Sequence, residues 1–352
     1  MDKILTIAIP TYNRRSKLIR LLKSIEKQEG LESCTLIISD NNSNYSVSDM
    51  LKEEFPMNFA NSIEVYRRGI NAGADYNITS VFTYARTTLF WIVGDDDELA
   101  PGAIRLVIDN YHKYPDIPFF KYVMKGAFSF SDNIRMRNVG DLLSCHKKGY
   151  LLGGIFFISN NIYNIDLIKP FLSDCLYYSY CSMGQIIPMM HCLVDSDYDV
   201  LLCKDPIVMA FPADEDRWNY IKVVTSVGTF LDINWGKKYR EVKKFFGIIN
   251  SYFGLGQFLI DNIKMEDKEY RKYVYWKGMH TVFKRHKGIL ELFALSCYWL
   301  ERLTRIKFLT GFYVALLNKQ TEIQDKFREK AKTDAKAAKW FYFFKKHVSL
   351  LR

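Results

Sequence analysis

Four consecutive carboxylates, Asp95, Asp96, Asp97 and Glu98, follow Gly94 directly after the apolar segment Leu89-Phe90-Trp91-Ile92-Val93. Neighbouring carboxylates repel, and a chain keeps them together where a divalent ion, or a phosphate arriving with one, offsets the repulsion. The same run also reads as an acidic turn capping the next helix, because Pro101-Gly102 follows and aspartate is an ordinary cap. The choice depends on which element delivers the acids and what arrives beside them.

The first hundred residues fall in the order strand, helix, strand, loop, strand, helix, strand. Ile4–Ile9 is a short apolar run, and Ser16–Glu26 has helical spacing at Leu18, Ile19, Leu22 and Ile25. Further strands are expected at Leu36–Ile38, Ile63–Tyr66 and Leu89–Val93, with a helix over Asp75–Thr87. Apolar strands alternating with amphipathic helices predict a parallel sheet covered on both faces. Ligands bind such sheets beyond the carboxyl ends of the strands. Those ends carry Pro10-Thr11-Tyr12-Asn13, Ser39-Asp40-Asn41, Arg67-Arg68 and the Asp95–Asp97 cluster, so four polar strand ends converge on one crevice.

Four segments resemble, in order and spacing, the successive motifs of family 2 glycosyltransferases with the GT-A fold, of the bacterial surface-polysaccharide type. They are Ile9-Pro10-Thr11-Tyr12-Asn13-Arg14, Ile38-Ser39-Asp40-Asn41-Asn42-Ser43, Asn71-Ala72-Gly73 with Asn77, and Gly94-Asp95-Asp96-Asp97-Glu98-Leu99. The resemblance covers residues 1–125, thins over 126–210 and hardly extends into the last third. It implies an α/β fold with a GT-A, Rossmann-like, mostly parallel sheet flanked by helices. Residues 1–224 are expected to form the nucleotide-sugar-binding and catalytic domain. After residue 225 strand-like segments give way to helical patterns rich in Lys, Tyr and Phe, so 225–352 is expected to be a helical C-terminal region.

Carried over residue by residue, the resemblance implies that Pro10, Thr11, Tyr12, Asn13 and Asp40, with Asn42 in the same turn, hold the base and ribose of a nucleotide-sugar. Arg68, Asn71 and Gly73 would lie beside the nucleotide, where a planar guanidinium suits an anion. Asp40–Ser43 alone is also a plain turn, and Arg67-Arg68 alone is also ordinary solvated surface. The usual family motif reads Asp-x-Asp-Asp, whereas Gly94 stands where its first aspartate would fall. By resemblance Asp97 binds the metal, Asp96 the ribose or the metal and its water shell, and Asp95 sits beside them at the donor. Hard oxygen ligands favour Mg²⁺ or Mn²⁺, with substrate phosphates completing the coordination sphere.

Sugar transfer with inversion also needs a carboxylate base for the acceptor hydroxyl. Relatives commonly carry a Glu-Asp pair opening a later helix, but the matching stretch here, Ser182-Met183-Gly184-Gln185-Ile186-Ile187, has no carboxylate. Asp174, Asp195, Asp197 and His191 lie nearby, and Asp214 and Asp216 are the expected candidates for the base. Their segment, Phe211–Trp218, follows an expected strand at Pro206–Phe211. It reads either as a loop closing over the diphosphate, with Arg217 on phosphate and Trp218 excluding water, or as an acidic helix N-terminus. Ser159-Asn160-Asn161, after an apolar run at Ile155–Ile158, reads as a strand end followed by a helix cap.

The chain of 352 residues is 49% hydrophobic, enough for one large domain or two modest ones. Its seven cysteines show neither paired framework nor Cys-x-x-Cys spacing, which predicts reduced thiols in a cytoplasmic protein. No export leader is read at the N-terminus, and the longest apolar runs are broken by charges well short of a spanning helix. The formal net charge is +10, and the stretch Lys326–Arg352 holds nine basic residues against Glu329 and Asp334. With Trp340-Phe341-Tyr342-Phe343-Phe344 inside it, this tail suits peripheral contact with an anionic membrane at the inner face of the cytoplasmic membrane, or packing on the protein's own core or a second subunit. No nucleic-acid-binding motif accompanies the charge.

The expected activity is metal-dependent transfer of a sugar from a nucleotide-sugar donor to a saccharide or lipid-linked oligosaccharide acceptor, with inversion. A nucleotidyltransferase of the same fold class is the alternative, although Pro10–Arg15 lacks the glycines of a phosphate loop. A catalytically silent nucleotide-binding or scaffold protein is the other.

Overall fold

The computed structural model describes residues 3–127, 129–151, 154–194, 197–209, 220–243, 245, 258, 261–262, 265–281 and 299. Strands β1 (Leu5–Thr11), β2 (Cys34–Asp40), β3 (Ile63–Arg67) and β4 (Leu89–Ile92) are parallel neighbours in the order β3-β2-β1-β4. Every residue of β1 and β4 is buried, as expected of strands whose two faces are both covered. The covering helices carry the complementary pattern. Helix α1 (Arg15–Glu26) buries Leu18, Leu21, Leu22 and Ile25 along one stripe. After α2 (Val47–Glu54), α3 (Met57–Ala60) and α4 (Ala74–Ser80), helix α5 (Ala103–Lys113) repeats it with Ala103, Ile104, Val107 and Ile108.

A two-residue strand β5 (Glu98–Leu99) follows the acidic turn. Then β6 (Phe119–Tyr122), β7 (Ile134–Met136), β8 (Asn161–Asn164) and β9 (Val200–Cys203) extend the sheet to eight strands in the order β3-β2-β1-β4-β8-β6-β9-β7. Only β8 and β7 run against the others. The sheet is thus mostly parallel and flanked by helices, the α/β architecture expected. Strand β10 (Val208–Met209) pairs antiparallel with β5 in a separate ribbon.

The chain divides into two units, residues 1–216 with 229–245, and residues 217–228 with 246–352. The sheet belongs to the first. The described part of the second is helical, with Tyr220–Val227 and Lys268–Thr281 and buried Val224, Val227, Val274 and Tyr275.

Three expectations need correction. The helix expected over Asp75–Thr87 stops at Ser80 and tightens to a 3₁₀ turn at Val81–Tyr84. The hydroxyls of Thr79, Ser80 and Thr83 bond back to the carbonyls of Asp75, Asn77 and Ser80 and compete with the helical pattern. The apolar run Ile155–Ile158 is not a strand. It forms parts of two 3₁₀ turns, and the strand lies at Asn161–Asn164, where the polar side chains mislead a reading based on hydrophobicity. Pro10 lies within β1 rather than in the turn after it. Ala8 gives its carbonyl to the N–H of Val93, the last rung towards β4. By strand alternation Pro10 faces the same side, beyond that rung, where a missing N–H costs no ladder bond.

The carboxyl ends of β1, β2 and β3 are level. Thr11 pairs with Asp40, and Asp40 with Arg67. Asn77 of α4 staples them from beneath: buried, it accepts from the Ser39 hydroxyl at 2.8 Å and donates to the carbonyls of Ser39 and Thr11 at 3.2 and 3.4 Å. Asn77→Ala would strand these buried groups without partners. We expect a loss of about 2 to 3 kcal/mol, read as a lower urea midpoint at unchanged m-value.

Candidate active site

The loops beyond the level strand ends are tied by short polar side chains. Asn13 and Asn42 hold left-handed backbone, with φ of 54° and 69°, a conformation asparagine tolerates. The Asn13 N–H donates to Ser43 Oγ at 2.9 Å, and its Oδ1 accepts from the Asn44 N–H at 2.7 Å. Asp40 is fully buried. Its Oδ1 accepts the Ser43 N–H at 2.8 Å, and its Oδ2 lies 3.5 Å from Arg67 Nη1 with no hydrogen bond of its own. Arg67 spends its other donors on the carbonyls of Ser43 and Tyr45. Asn41 reaches across to the next loop, accepting from the Ala72 N–H at 3.0 Å and donating to Asn71 Oδ1 at 2.7 Å; the same Asn71 oxygen takes the Gly73 N–H. Arg68 is braced by α4, through Asn77 Oδ1 at 3.3 Å and Ser80 Oγ at 2.5 Å, with its guanidinium over the Tyr76 ring.

The acidic turn closes the row at the end of β4, with the Asp97 N–H bonded to the Gly94 carbonyl at 3.1 Å. Each acid meets a different environment. Asp95 is buried, accepts from Thr11 Oγ1 at 2.7 Å and pairs with Arg14 at 3.0 Å. Burial raises its carboxyl above the ordinary range against the pull of Arg14 and Thr11. Asp96 is half exposed, sharing Arg14 at 3.1 Å while its carbonyl accepts from Arg20 at 2.6 Å. Asp97 is 6% exposed, and Ser159 Oγ donates to its Oδ2 at 2.5 Å. Burial pushes its carboxyl up to about 7, with Asp96 and Asp95 adding to the rise and Ser159 and Arg20 opposing it.

Gly94 explains the departure from the usual motif. A Cβ there would stand 3.0 Å from Asp97 Oδ2 and 3.1 Å from Asp96 Oδ1, so a side chain at this position displaces the carboxylates it would join. These two oxygens converge over one glycine, and among the described residues no cationic side chain is bonded to Asp97 as Arg14 is to Asp95. A divalent cation fits there: two hard oxygen donors already meet, and the desolvated, mutually repelling carboxylates gain from added positive charge. Among the described residues no three His, Cys, Asp or Glu side chains gather into a metal cage, so other oxygens would have to complete the coordination.

The structure joins Thr11, Asp95 and Asp96 by hydrogen bonds, the last through Arg14, with Asp97 in the same turn bonded to Ser159, and it brings Asn13, Asp40 and Asn42 into the neighbouring loop cluster. Asn71, Gly73 and Arg68 line the adjoining strand end, and Tyr12 is 41% exposed at the rim. Asp214, Asp216, Arg217 and Trp218 lie outside the described residues. Asp174 and His191 pair with each other at 2.9 Å. Sequence reading assigned no role to Arg14 or Arg20, and it took Ser159 for part of a helix cap. Ser159 instead accepts the Gly94 N–H at 2.8 Å, donates to Asp97 and takes the Trp91 indole N–H on its carbonyl at 2.7 Å. The one signal available was a polar Ser-Asn-Asn run directly after four apolar residues.

Residues 6–164, from β1 to β8, match the family described as Glycosyl transferase family 2. The chain is 28% identical over 192 residues to abequosyltransferase RfbV of Salmonella typhimurium, covering 54% of this chain and 52% of that protein, so it spans about half that relative's length. Two crystal structures of S. aureus TarS residues 1–349 share the fold. The complex with UDP has a TM-score of 0.52 at 14% identity, covering 77% of this chain and 78% of that one; the complex with UDP-GlcNAc has 0.53 at 13%, covering 77% and 79%. The segment that builds β1 to β4, the acidic turn and β8 is thus the part of this chain that matches glycosyl transferase family 2.

Proposed function

We propose that the protein is a glycosyltransferase that moves a sugar, with inversion, from a nucleotide-sugar donor to a saccharide or lipid-linked oligosaccharide acceptor of a bacterial surface polysaccharide. The observation that carries this reading is the buried acidic turn at the end of β4, joined through Thr11 and Arg14 to the end of β1. The relative named as an abequosyltransferase, and the neighbours that hold UDP and UDP-GlcNAc, support a nucleotide-sugar donor.

In this reading Asp97 and Asp96 hold Mg²⁺ or Mn²⁺, which when bound supplies Lewis acidity to the departing diphosphate. Ser159 fixes the rotamer of Asp97, and Arg14 keeps Asp95 and Asp96 from swinging apart. Asp40 meets the nucleobase, with Pro10–Asn13, Asn42, Arg68, Asn71 and Gly73 around the nucleotide. Asp214 or Asp216 takes the proton of the attacking hydroxyl, and Arg217 and Trp218 cover the diphosphate. The catalytic region is assigned to residues 1–224 and the helical region to 225–352. Among the described residues no helix is long and apolar enough to cross a membrane. The basic, aromatic tail Lys326–Arg352 would make peripheral contact at the inner face of the cytoplasmic membrane, or join two copies of the chain.

The donor is tested by thermal stabilisation with UDP, GDP, dTDP and CMP, each with Mn²⁺, since a ligand bound only to the native state raises Tm. One nucleotide should stabilise by several degrees, and Asp97→Asn should remove the Mn²⁺-dependent part of that shift together with donor hydrolysis. No shift with any nucleotide overturns the donor assignment. Full hydrolysis by the variant, or in excess chelator, removes the metal.

A pH series gives an independent check. Asp97 titrates near 7 in the fold against an ordinary value of 3.8, so between those values the native state binds more protons than the unfolded one. Without metal, stability should therefore fall as pH rises from about 4 to about 7, by a few kcal/mol at most. Asp97→Asn should flatten that slope and raise Tm at pH 8, the opposite of its effect on metal binding. An unchanged slope in the variant would show that Asp97 is not the group responsible.

A further inference from the structure

We infer that Lys121 is a positioning residue for Asp97, acting through the turn that carries Ser159; the inference rests on the proposed role of Asp97 as a metal ligand. Lys121 stands in β6, opposite Asn161 of β8, and is fully buried. Its Nζ donates to Asn161 Oδ1 at 2.6 Å and to the Phe157 carbonyl at 3.3 Å. Those two acceptors flank the 3₁₀ turn Ile158–Asn160, so one ammonium grips both ends of a three-residue turn. Ser159 is the middle residue, and its hydroxyl bridges the Gly94 N–H and Asp97 Oδ2. Lys121 does not touch Asp97. It fixes the backbone from which the hydroxyl reaches it.

The chemistry of the lysine argues that this grip is what the buried amine supplies. No carboxylate pairs with it among the described residues, and burial pushes its ammonium down to about 7. A methionine or leucine in this position would fill the space without taking a charge out of water, and replacing buried ions by apolar residues is commonly neutral or stabilising. Stability alone therefore does not explain an unpaired lysine here. What an apolar residue cannot do is hydrogen-bond two acceptors either side of a turn, and those acceptors are each two residues from Ser159, which sets the rotamer of Asp97. Outer partners of this kind orient ligands, and removing one typically weakens metal binding 10- to 100-fold.

Lys121→Met, Ser159→Ala and Asp97→Asn, made in the full chain, test this with two readouts. The first is Mn²⁺ affinity from the electron paramagnetic resonance signal of the free ion. Lys121→Met should weaken it about tenfold, with only a small change in Tm, because relief of the buried ammonium offsets the two acceptors left without a donor. The double variant Lys121→Met/Ser159→Ala should be no weaker than Ser159→Ala alone, because both act on one hydroxyl. The second readout needs no metal: hydrogen exchange of the Gly94 amide, protected by Ser159 Oγ, should speed up in Lys121→Met as it does in Ser159→Ala. Wild-type Gly94 protection in Lys121→Met, alongside lost protection in Ser159→Ala, overturns the positioning role. Mn²⁺ binding that survives Asp97→Asn overturns the metal reading instead, and the exchange measurement then still decides what Lys121 does.

Discussion

The site is organised around a carboxylate held out of water beside two others. Asp97 would be more stable exposed, and the chain keeps it buried by means that come from several directions at once. The turn closes on Gly94, the hydroxyl of Ser159 arrives from 62 residues away in sequence, and Arg14 and Thr11 draw Asp95 aside so that the repulsion is not borne by one pair. Each of these is a fixed interaction of β1, β4 or the turn before β8. The parallel sheet is what brings them to one edge, because only parallel neighbours present successive carboxyl ends side by side.

The opposite end of the row is built on different terms. The loop Asn42–Tyr45 covers Asp40 and is held by Arg67, whose side chain is 46% exposed, and by Asn13, which donates to Ser43 Oγ and accepts from the Asn44 N–H. One oxygen of Asp40 lacks a hydrogen bond while fully buried, an unmade contact that a nearby N–H donor would satisfy. The acidic end is thus rigid and over-supplied with charge, whereas the Asp40 end is closed by one arginine and a short asparagine-rich loop. Under the proposed reading, the arrangement is preorganised where charge develops and adaptable where a base must enter.

How much of this the sequence disclosed follows from which interactions are local. The four motifs of the first hundred residues are each a strand end with its following turn, so hydrophobic runs and turn formers located them, and their convergence followed from parallel topology. Helix α1 was legible from Leu18, Leu22 and Ile25. The missing elements are those whose identity is decided across the sheet. Asn161–Asn164 is a strand because its backbone pairs with β4 and β6 and Lys121 takes Asn161 Oδ1, not because of its own composition. Arg14 sits in a recognised motif, but its partners Asp95 and Asp96 are more than eighty residues away, and no periodicity encodes that distance.

The stretch Ser182–Ile187, where the family resemblance implied an acidic pair and this chain has no carboxylate, bears on the donor side through its packing. Here it is a packing element. A Cβ on Gly184 would meet the Thr79 methyl at 2.4 Å, Ser182 donates to Asp75 at 3.3 Å, and Gln185 is buried with its amide on the Phe156 carbonyl at 2.9 Å. Thr79 and Asp75 belong to α4, the helix whose Asn77 staples β1 to β2. The close approach that Gly184 permits seats α4, and α4 seats the strand ends. A carboxylate at 184 or 185 would be buried among groups already paired, at a desolvation cost that nothing nearby offsets. Under the proposed function, a base for the acceptor hydroxyl would come from another segment of the chain.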